Sequence, residues 1–359
     1  MIASSLLRRG TWSSVVSAIS RGLDLETTAR RFGAIQRVRK IRTASGLLRL
    51  AMIWGPGRQS LREAAALAGD AGIAELSDKA VEGRLRKMGD WLEHILAHLL
   101  ARRLGQVSAS VASSLKLSLV DGTVICAPGG SADWRLHARY DPDIGRFSDL
   151  VLTPARGPGR AECASRTAVS GDRITIMDRG YARASSLNAV LDGGGDFIVR
   201  SGWRSLVFTD AHGDRVDVVA LLADGSQPRE RRVWVRGVAR GLRLLIRPLP
   251  AEIAARQRLK RARKASKKSQ RMDPRTAQAA GFLILLTSLP KATHSAARVA
   301  SCYRDRWQVE IGFKRLKTLG RLDELPSADK VLARTWLLAH LIAAVLTDDL
   351  ANEIVGFPP

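Results

Sequence analysis

Three carboxylates in this chain sit where metal chemistry could be done. Asp121 follows the alternating run Leu115, Leu117, Leu119 and Val120, and it precedes Gly122. Asp178 closes the apolar run Ile174-Thr175-Ile176-Met177 and is followed closely by Gly180. Glu310 lies much later, in the stretch from Tyr303 to Lys317, which has no proline and one glycine and predicts a helix. An aspartate before a glycine is most often a turn residue. Two strand-end aspartates and one helix-borne glutamate can instead converge at the edge of an α/β sheet. Such a set, without histidine or cysteine, makes a hard all-oxygen site suited to Mg²⁺ or Mn²⁺. Two such ions can activate a water or a 3′-hydroxyl and stabilise the leaving oxygen in phosphoryl transfer.

At about 100° per residue, Tyr303, Arg306, Glu310 and Lys317 fall within roughly 60° of arc on one face of the expected helix. That face carries one carboxylate, two cations and a phenol, so the cations could hold phosphates beside a metal. Trp307, Val309, Ile311, Phe313 and Leu316 cover most of the remaining circumference, which implies a helix buried in protein. The plainer alternative is a surface helix with an Arg306–Glu310 pair at i, i+4 spacing.

The elements that must position these residues belong to a folded chain of 359 residues, 45% hydrophobic, large enough for two or three domains. Its net charge of +24, from 58 Lys+Arg against 34 Asp+Glu, predicts a polyanionic partner, nucleic acid ahead of an anionic membrane surface. Cys126, Cys163 and Cys302 are spaced for neither zinc nor a disulfide framework, which fits a reducing cytoplasm. Met1 to Ser20 lacks the apolar core of a signal peptide. Val331 to Leu346 is interrupted by Arg334 and His340 and reads as a buried helix rather than a membrane span.

Residues 1–105 read as a helical, basic DNA-binding region. Ser60-Leu61-Arg62-Glu63 has capping-box spacing and opens a short helix. Ser77-Asp78 starts a long helix to about Arg103, with Val81, Leu85, Met88, Leu92, Ile95 and Leu99 as its apolar stripe. A short helix, a glycine-bearing turn and a second helix carrying Lys79, Arg84, Arg86 and Lys87 resemble a helix-turn-helix. From about residue 113 the pattern turns to strands followed by helices: a strand ending at Asp121, a second at Val124 to Cys126, then Arg146 to Leu152, Ile174 to Met177, a helix from Ala184 to Leu191, and Phe197 to Arg200. Residues 204–290 are rich in short strands, among them Arg232 to Arg236 and Leu242 to Arg247. Arg256 to Arg271 holds nine Lys/Arg in sixteen residues and no acid, so it is a solvated helix or a phosphate-contacting arm, with Arg263, Lys264, Lys267 and Lys268 as DNA contacts. Phe282 to Thr287 is a buried strand.

The pattern Tyr303-x-x-Arg306-x-x-x-Glu310, with Lys317 seven residues on, resembles the signature helix of the insertion-sequence-four family of bacterial DDE transposases. Asp121-Gly122-Thr123 and Asp178-Arg179-Gly180-Tyr181 resemble that family's two aspartate motifs, and the resemblance spans roughly residues 25–346. It implies an RNase H-like α/β core of the retroviral integrase superfamily. That core would occupy 106–203 and 291–350, interrupted by a β-rich insertion at 204–290. It implies cut-and-paste transposition with two Mg²⁺ (or Mn²⁺) ions, through hydrolytic nicking, a hairpin intermediate and strand transfer. Asp121, Asp178 and Glu310 would be catalytic metal ligands, and Tyr303, Arg306 and Lys317 would hold DNA, with Arg200 a further phosphate contact. The partners would be double-stranded DNA, both terminal inverted repeats and target, and a second copy of the chain, in the bacterial cytoplasm on the nucleoid. A nuclease without strand transfer, or a truncated non-catalytic DNA-binding derivative, are the alternatives. Relatives often stack a tryptophan on a flipped base just before the signature helix. Here that place holds Phe282, with Trp203 and Trp234 as other candidates. His137 reads as structural and Cys302 as a packed residue; Glu162 precedes the second aspartate at a distance where the family can carry an acid, and it reads as a surface glutamate.

Overall fold

In the computed structural model, which describes residues 9–107, 115–128, 132–157, 162–169, 171–222, 227–318 and 320–355, neighbouring apolar residues of the central strands are buried on opposite faces of one sheet. Leu119, Ile176, Ile198, Leu245 and Leu285 join one hydrophobic core, while Val120, Met177, Val199, Leu244 and Leu286 join another. Successive strand residues point to opposite faces, so unbroken apolar runs are what a sheet covered on both sides requires.

The strands are β1 (Leu117–Cys126), β2 (Ala132–Asp141), β3 (Arg146–Pro154), β4 (Ile174–Met177), β5 (Asp196–Arg200), β6 (Phe208–Thr209), β7 (Arg229–Val235), β8 (Leu242–Pro248) and β9 (Phe282–Thr287). Their order across the sheet is β3-β2-β1-β4-β5-β9-β8-β7-β6. β1 to β3 are antiparallel to one another, β4 and β5 run parallel to β1, and β9 returns antiparallel to β5. The segment between β5 and β9 extends the same sheet, because β8 pairs with β9 from Arg243–Thr287 to Pro248–Phe282. This mixed α/β sheet with a helical N-terminal region is an RNase H-like fold, as the resemblance implied.

Among the described residues six helices precede the sheet: α1 (Arg9–Ser20), α2 (Leu25–Arg31), α3 (Ala44–Trp54), α4 (Leu61–Asp70), α5 (Asp78–Leu85) and α6 (Gly89–Val107). The capping box at Ser60 and Glu63 is formed. Later helices are α7 (Ala184–Asp192), α8 (Ala251–Ser266), α9 (Pro274–Ala279), α10 (Ala296–Arg304), α11 (Trp307–Thr318) and α12 (Lys330–Val355). By length and composition α12 could cross a membrane, but most of its apolar window is buried in the protein against α3 and α6. The guanidinium of Arg103 on α6, 2% exposed, ties three elements together. It donates to Phe147 O on β3 at 2.9 Å, to Val345 O on α12 at 2.5 Å and to Asp349 at 2.7 Å.

Three expectations need correction. The expected helix from 78 to 103 is broken, because Lys87 and Met88 donate to carbonyls three residues back and α6 restarts at Gly89. The apolar stripe is nonetheless buried throughout, since a turn of i→i−3 bonds keeps residues three apart on one side. The stretch from 303 to 317 is broken in the same way: Asp305 and Arg306 form a turn between α10 and α11, with the Arg306 N–H donating to Tyr303 O at 3.3 Å. Finally, the two strands expected at 115–126 are one, and Asp121 sits inside it rather than at its end.

Candidate active site

Asp121 gains its place from pairing rather than from a strand end. The parallel ladder between β1 and β4 stops at the pair Val120–Met177, while β1 continues against β2 to Cys126. Asp121 and Asp178 are the next residues on the two strands, so their carboxylates emerge side by side where β4 ends. Asp178 caps the short turn Arg179–Tyr181 and accepts the Gly180 N–H at 2.6 Å. Asp121 accepts the Gly122 N–H at 2.8 Å. Burial pushes the Asp121 carboxyl up to about 7, the carboxylates of Asp178 and Glu162 push the same way, and the Gly122 N–H and Arg306 oppose.

Glu310 comes from α11 and is joined to Asp121 through Arg306. That helix lies close on β1 and β2 because Gly312 faces Phe147 and Tyr140. A Cβ there would stand 2.7 Å from the Phe147 ring. Phe313 packs on Phe147 with ring centroids 5.6 Å apart. Arg306, in the turn before α11, donates to Asp121 Oδ2 at 3.2 Å and pairs with Glu310. Burial opposes its charge, but Glu310, Tyr303 and Asp121 hold its pKa above the ordinary arginine value. The i, i+4 pair expected as the plain alternative is therefore formed, and it is joined to the first aspartate.

The remaining signature residues surround this junction. Tyr303 is 9% exposed beside Arg306 and Arg200, and burial raises its phenol despite both cations. Lys317 donates to Val124 O on β1 at 3.0 Å, which pins the far end of α11 to the strand carrying Asp121. Arg200, Arg179 and Arg261 line a cavity of about 290 Å³ together with Trp203 and Phe282. The Arg261 guanidinium is lowered by burial and then by Arg179 and Arg200, so three cations share this hollow. The Trp203 ring is already covered: Arg204 and Arg275 lie 4.1 and 4.7 Å from its centre. Trp234 carries Arg232 at 5.3 Å. Arg263, Lys264, Lys267 and Lys268 lie along and just beyond the end of α8, exposed and without ion pairs among the described residues.

Two residues near the acids depart from expectation. Trp307 was expected on the buried face of the signature helix, but it is 54% exposed directly after Arg306. The turn at Asp305–Arg306 rotates the start of α11, and periodicity cannot register that. Glu162, expected on the surface, turns inward beside Gly122 and Gly180 and pairs with Arg135 at 2.8 Å. Its distance before the second aspartate was the signal in the sequence; its inward turn is decided by the space that Gly122 and Gly180 leave. His137 is structural as expected: it is 1% exposed, bonded to Thr153 Oγ1 at 3.0 Å, and its imidazole is lowered to about 4 by burial, then by Arg135 and Arg166. Cys302 is packed and 4% exposed. In the expected helix-turn-helix, Lys79 and Arg86 are neutralised by Glu82, and Arg86 also by Asp329. Arg84 and Lys87 instead line a groove with Arg37 and Arg39.

The donor set fits a hard divalent cation: carboxylates only, with Asp121 desolvated and relieved by any nearby positive charge. Among the described residues no three acids, histidines or cysteines stand close enough to hold an ion as they are. The Arg306 guanidinium is the stand-in cation between Asp121 and Glu310. Beside them the Tyr181 hydroxyl is buried with no hydrogen-bond partner among the described residues.

Comparison with known proteins gives the family. Residues 113–346 match the transposase DDE domain. The putative transposase InsL of insertion sequence element IS186A from Escherichia coli K12 is 40% identical over 359 residues, covering 97% of this chain and 96% of the relative. The transposase of insertion sequence element IS421 from Escherichia coli is also 40% identical, with the same coverage. With its carboxylates on the sheet and helix described above, this chain belongs to the DDE transposases, DNA-cleaving enzymes that depend on a divalent metal.

Proposed function

We propose that the protein is an insertion-sequence transposase that binds the terminal inverted repeats of its own element, cuts there with Mg²⁺ and joins the freed ends to target DNA. The observation that supports this reading is the bridge that Arg306 makes between Asp121 and Glu310, with Asp178 beside Asp121 at the end of β4. Asp121, Asp178 and Glu310 would hold one or two Mg²⁺ ions. When bound, the metal supplies the positive charge that activates a water or 3′-hydroxyl and steadies the departing oxygen. The chain's own groups do the rest. Arg306, released from Asp121 and Glu310, turns its planar fork to a DNA phosphate. Tyr303 fixes the start of that turn, and Lys317 holds α11 against β1 so that Glu310 keeps its reach. Arg200, with Arg179 and Arg261, receives backbone phosphate in the adjoining cavity. Trp307 offers an exposed aromatic face on which a displaced base can stack. The α8 cations and the groove of Arg37, Arg39, Arg84 and Lys87 attract flanking DNA. Cutting two ends together calls for two copies of the chain, acting in the cytoplasm where the nucleoid lies.

A plasmid carrying the DNA that flanks this gene, mixed with a target plasmid and Mg²⁺, tests the reading. Excision and joined products are expected. Nicks without joined products would reduce the protein to a nuclease. Asp121→Asn, Asp178→Asn and Glu310→Gln should each cut cleavage by at least about a thousandfold while end binding in a gel shift persists. Cleavage retained in any one of them removes that residue from the site.

A further inference from the structure

Asp121 is followed by Gly122 and Asp178, two residues on, by Gly180, and one side chain covers the two glycines. Glu162 Oε1 and Cγ lie 3.5 Å from where a Gly122 Cβ would be, and Glu162 Oε2 lies 2.1 Å from where a Gly180 Cβ would be. Asp178 Oδ1 stands 3.0 Å from that second point. Neither glycine has the positive φ that would call for glycine on conformational grounds. At Gly180 the demand is space, and the group that takes the space is a carboxylate. Tyr181 adds an independent observation. It is 0% exposed, its hydroxyl lies 3.4 Å from the Gly122 Cβ position, and that hydroxyl has no hydrogen-bond partner among the described residues. A buried hydroxyl left without a partner is costly unless a ligand or its water completes the bond.

We propose that Glu162 is a fourth carboxylate of the metal centre, tied to Arg135 through one oxygen and presenting the other beside Asp178. The inference rests on reading Asp121, Asp178 and Glu310 as the metal-holding acids. One Glu162 oxygen is taken by Arg135, and the other brings a further anionic donor beside Asp178, the kind of oxygen ligand a hard divalent ion takes. Arg135 keeps the Glu162 carboxylate from swinging away and so acts as a positioning residue.

Mn²⁺ titration of the full-length, metal-free protein by calorimetry tests this without recourse to activity. Glu162→Gln should weaken Mn²⁺ binding by about tenfold or more. If Glu162 served only to balance Arg135, then pairing Glu162→Gln with Arg135→Gln would restore wild-type affinity, and restoration overturns the proposal. Persistent weakness in the double variant supports it. Glu162→Asp keeps the charge beside Arg135 but withdraws the carboxylate by one methylene. It should also bind Mn²⁺ more weakly, and wild-type affinity there counts against the proposal even if Glu162→Gln fails to fold. Asp121→Asn separates the two layers. Loss of binding in that variant, with none in the Glu162 variants, overturns the role of Glu162 alone. Unchanged binding in Asp121→Asn overturns the metal site and this inference with it.

Discussion

The charge arrangement around Arg306 is a metal-free balance. One guanidinium serves two carboxylates, Asp121 and Glu310, across 185 residues of sequence to the first and four to the second. In the proposed reading these oxygens would hold a divalent ion, and Arg306 would then be free to turn toward solvent and phosphate. Trp307, its neighbour, is 54% exposed. Trp307→Ala should therefore leave thermal stability within about 0.5 kcal/mol of wild type. Cleavage should nonetheless slow by an amount corresponding to about 1–3 kcal/mol of lost base stacking. Equal cleavage rates on a native end, with unchanged melting, would remove Trp307 from the DNA contact.

Among the elements, α11 and α8 play opposite parts. The position of α11 depends on contact: Gly312 lets the helix approach the Phe147 and Tyr140 rings, and Glu310 rides on the same turn. Gly312→Ala would push the helix outward, costing about 1–3 kcal/mol of stability. A displacement near 1 Å at Glu310 would lower cleavage on the order of a hundredfold. Calorimetric melting and an end-cleavage assay check both, with end binding expected to survive. By contrast, α8 buries only Ala254, and the part proposed for it is electrostatic. Changing Arg263, Lys264, Lys267 and Lys268 together to glutamine should reduce the slope of log K against log salt by up to about 3 to 4. An unchanged slope would mean that these cations meet water rather than phosphate.

The whole molecule is a single sheet with two buried faces, held to its N-terminal helices by α12. Two histidines sit inside it. His137 in β2 and His340 in α12 are both lowered from 6.5 to about 4, in each case chiefly by burial, with Arg135 and Arg166 adding at His137 and Arg58 at His340. Between these values the unfolded chain binds protons that the folded protein refuses, so stability is full above about pH 6.5 and falls as pH drops toward 4. Each site contributes on the order of 3 kcal/mol to that loss at most. Melting temperature measured from pH 7.5 to 4.5 should fall, and His137→Gln should blunt the fall. Equal slopes for the variant and wild type would show that His137 titrates normally.

Much of the chemistry was legible in the linear chain. The alternating and unbroken apolar runs marked β4, β5 and β9, because strand burial is written in side-chain order. Asp121, Asp178 and Glu310 stood out because carboxylates beside glycines and within a basic helix are chemically distinctive. The tertiary structure decided what periodicity cannot carry. Turns of i→i−3 bonds break helices without disturbing a three-residue spacing, so the interruptions at Lys87–Met88 and Asp305–Arg306 were invisible, and with them the exposure of Trp307. Register decided that Asp121, inside β1, stands beside Asp178 at the end of β4. Glu162 was placed by packing against two glycines whose only local reading was a turn. Residue type and spacing named the acids; which of them share one small volume depends on contacts between segments far apart in the chain.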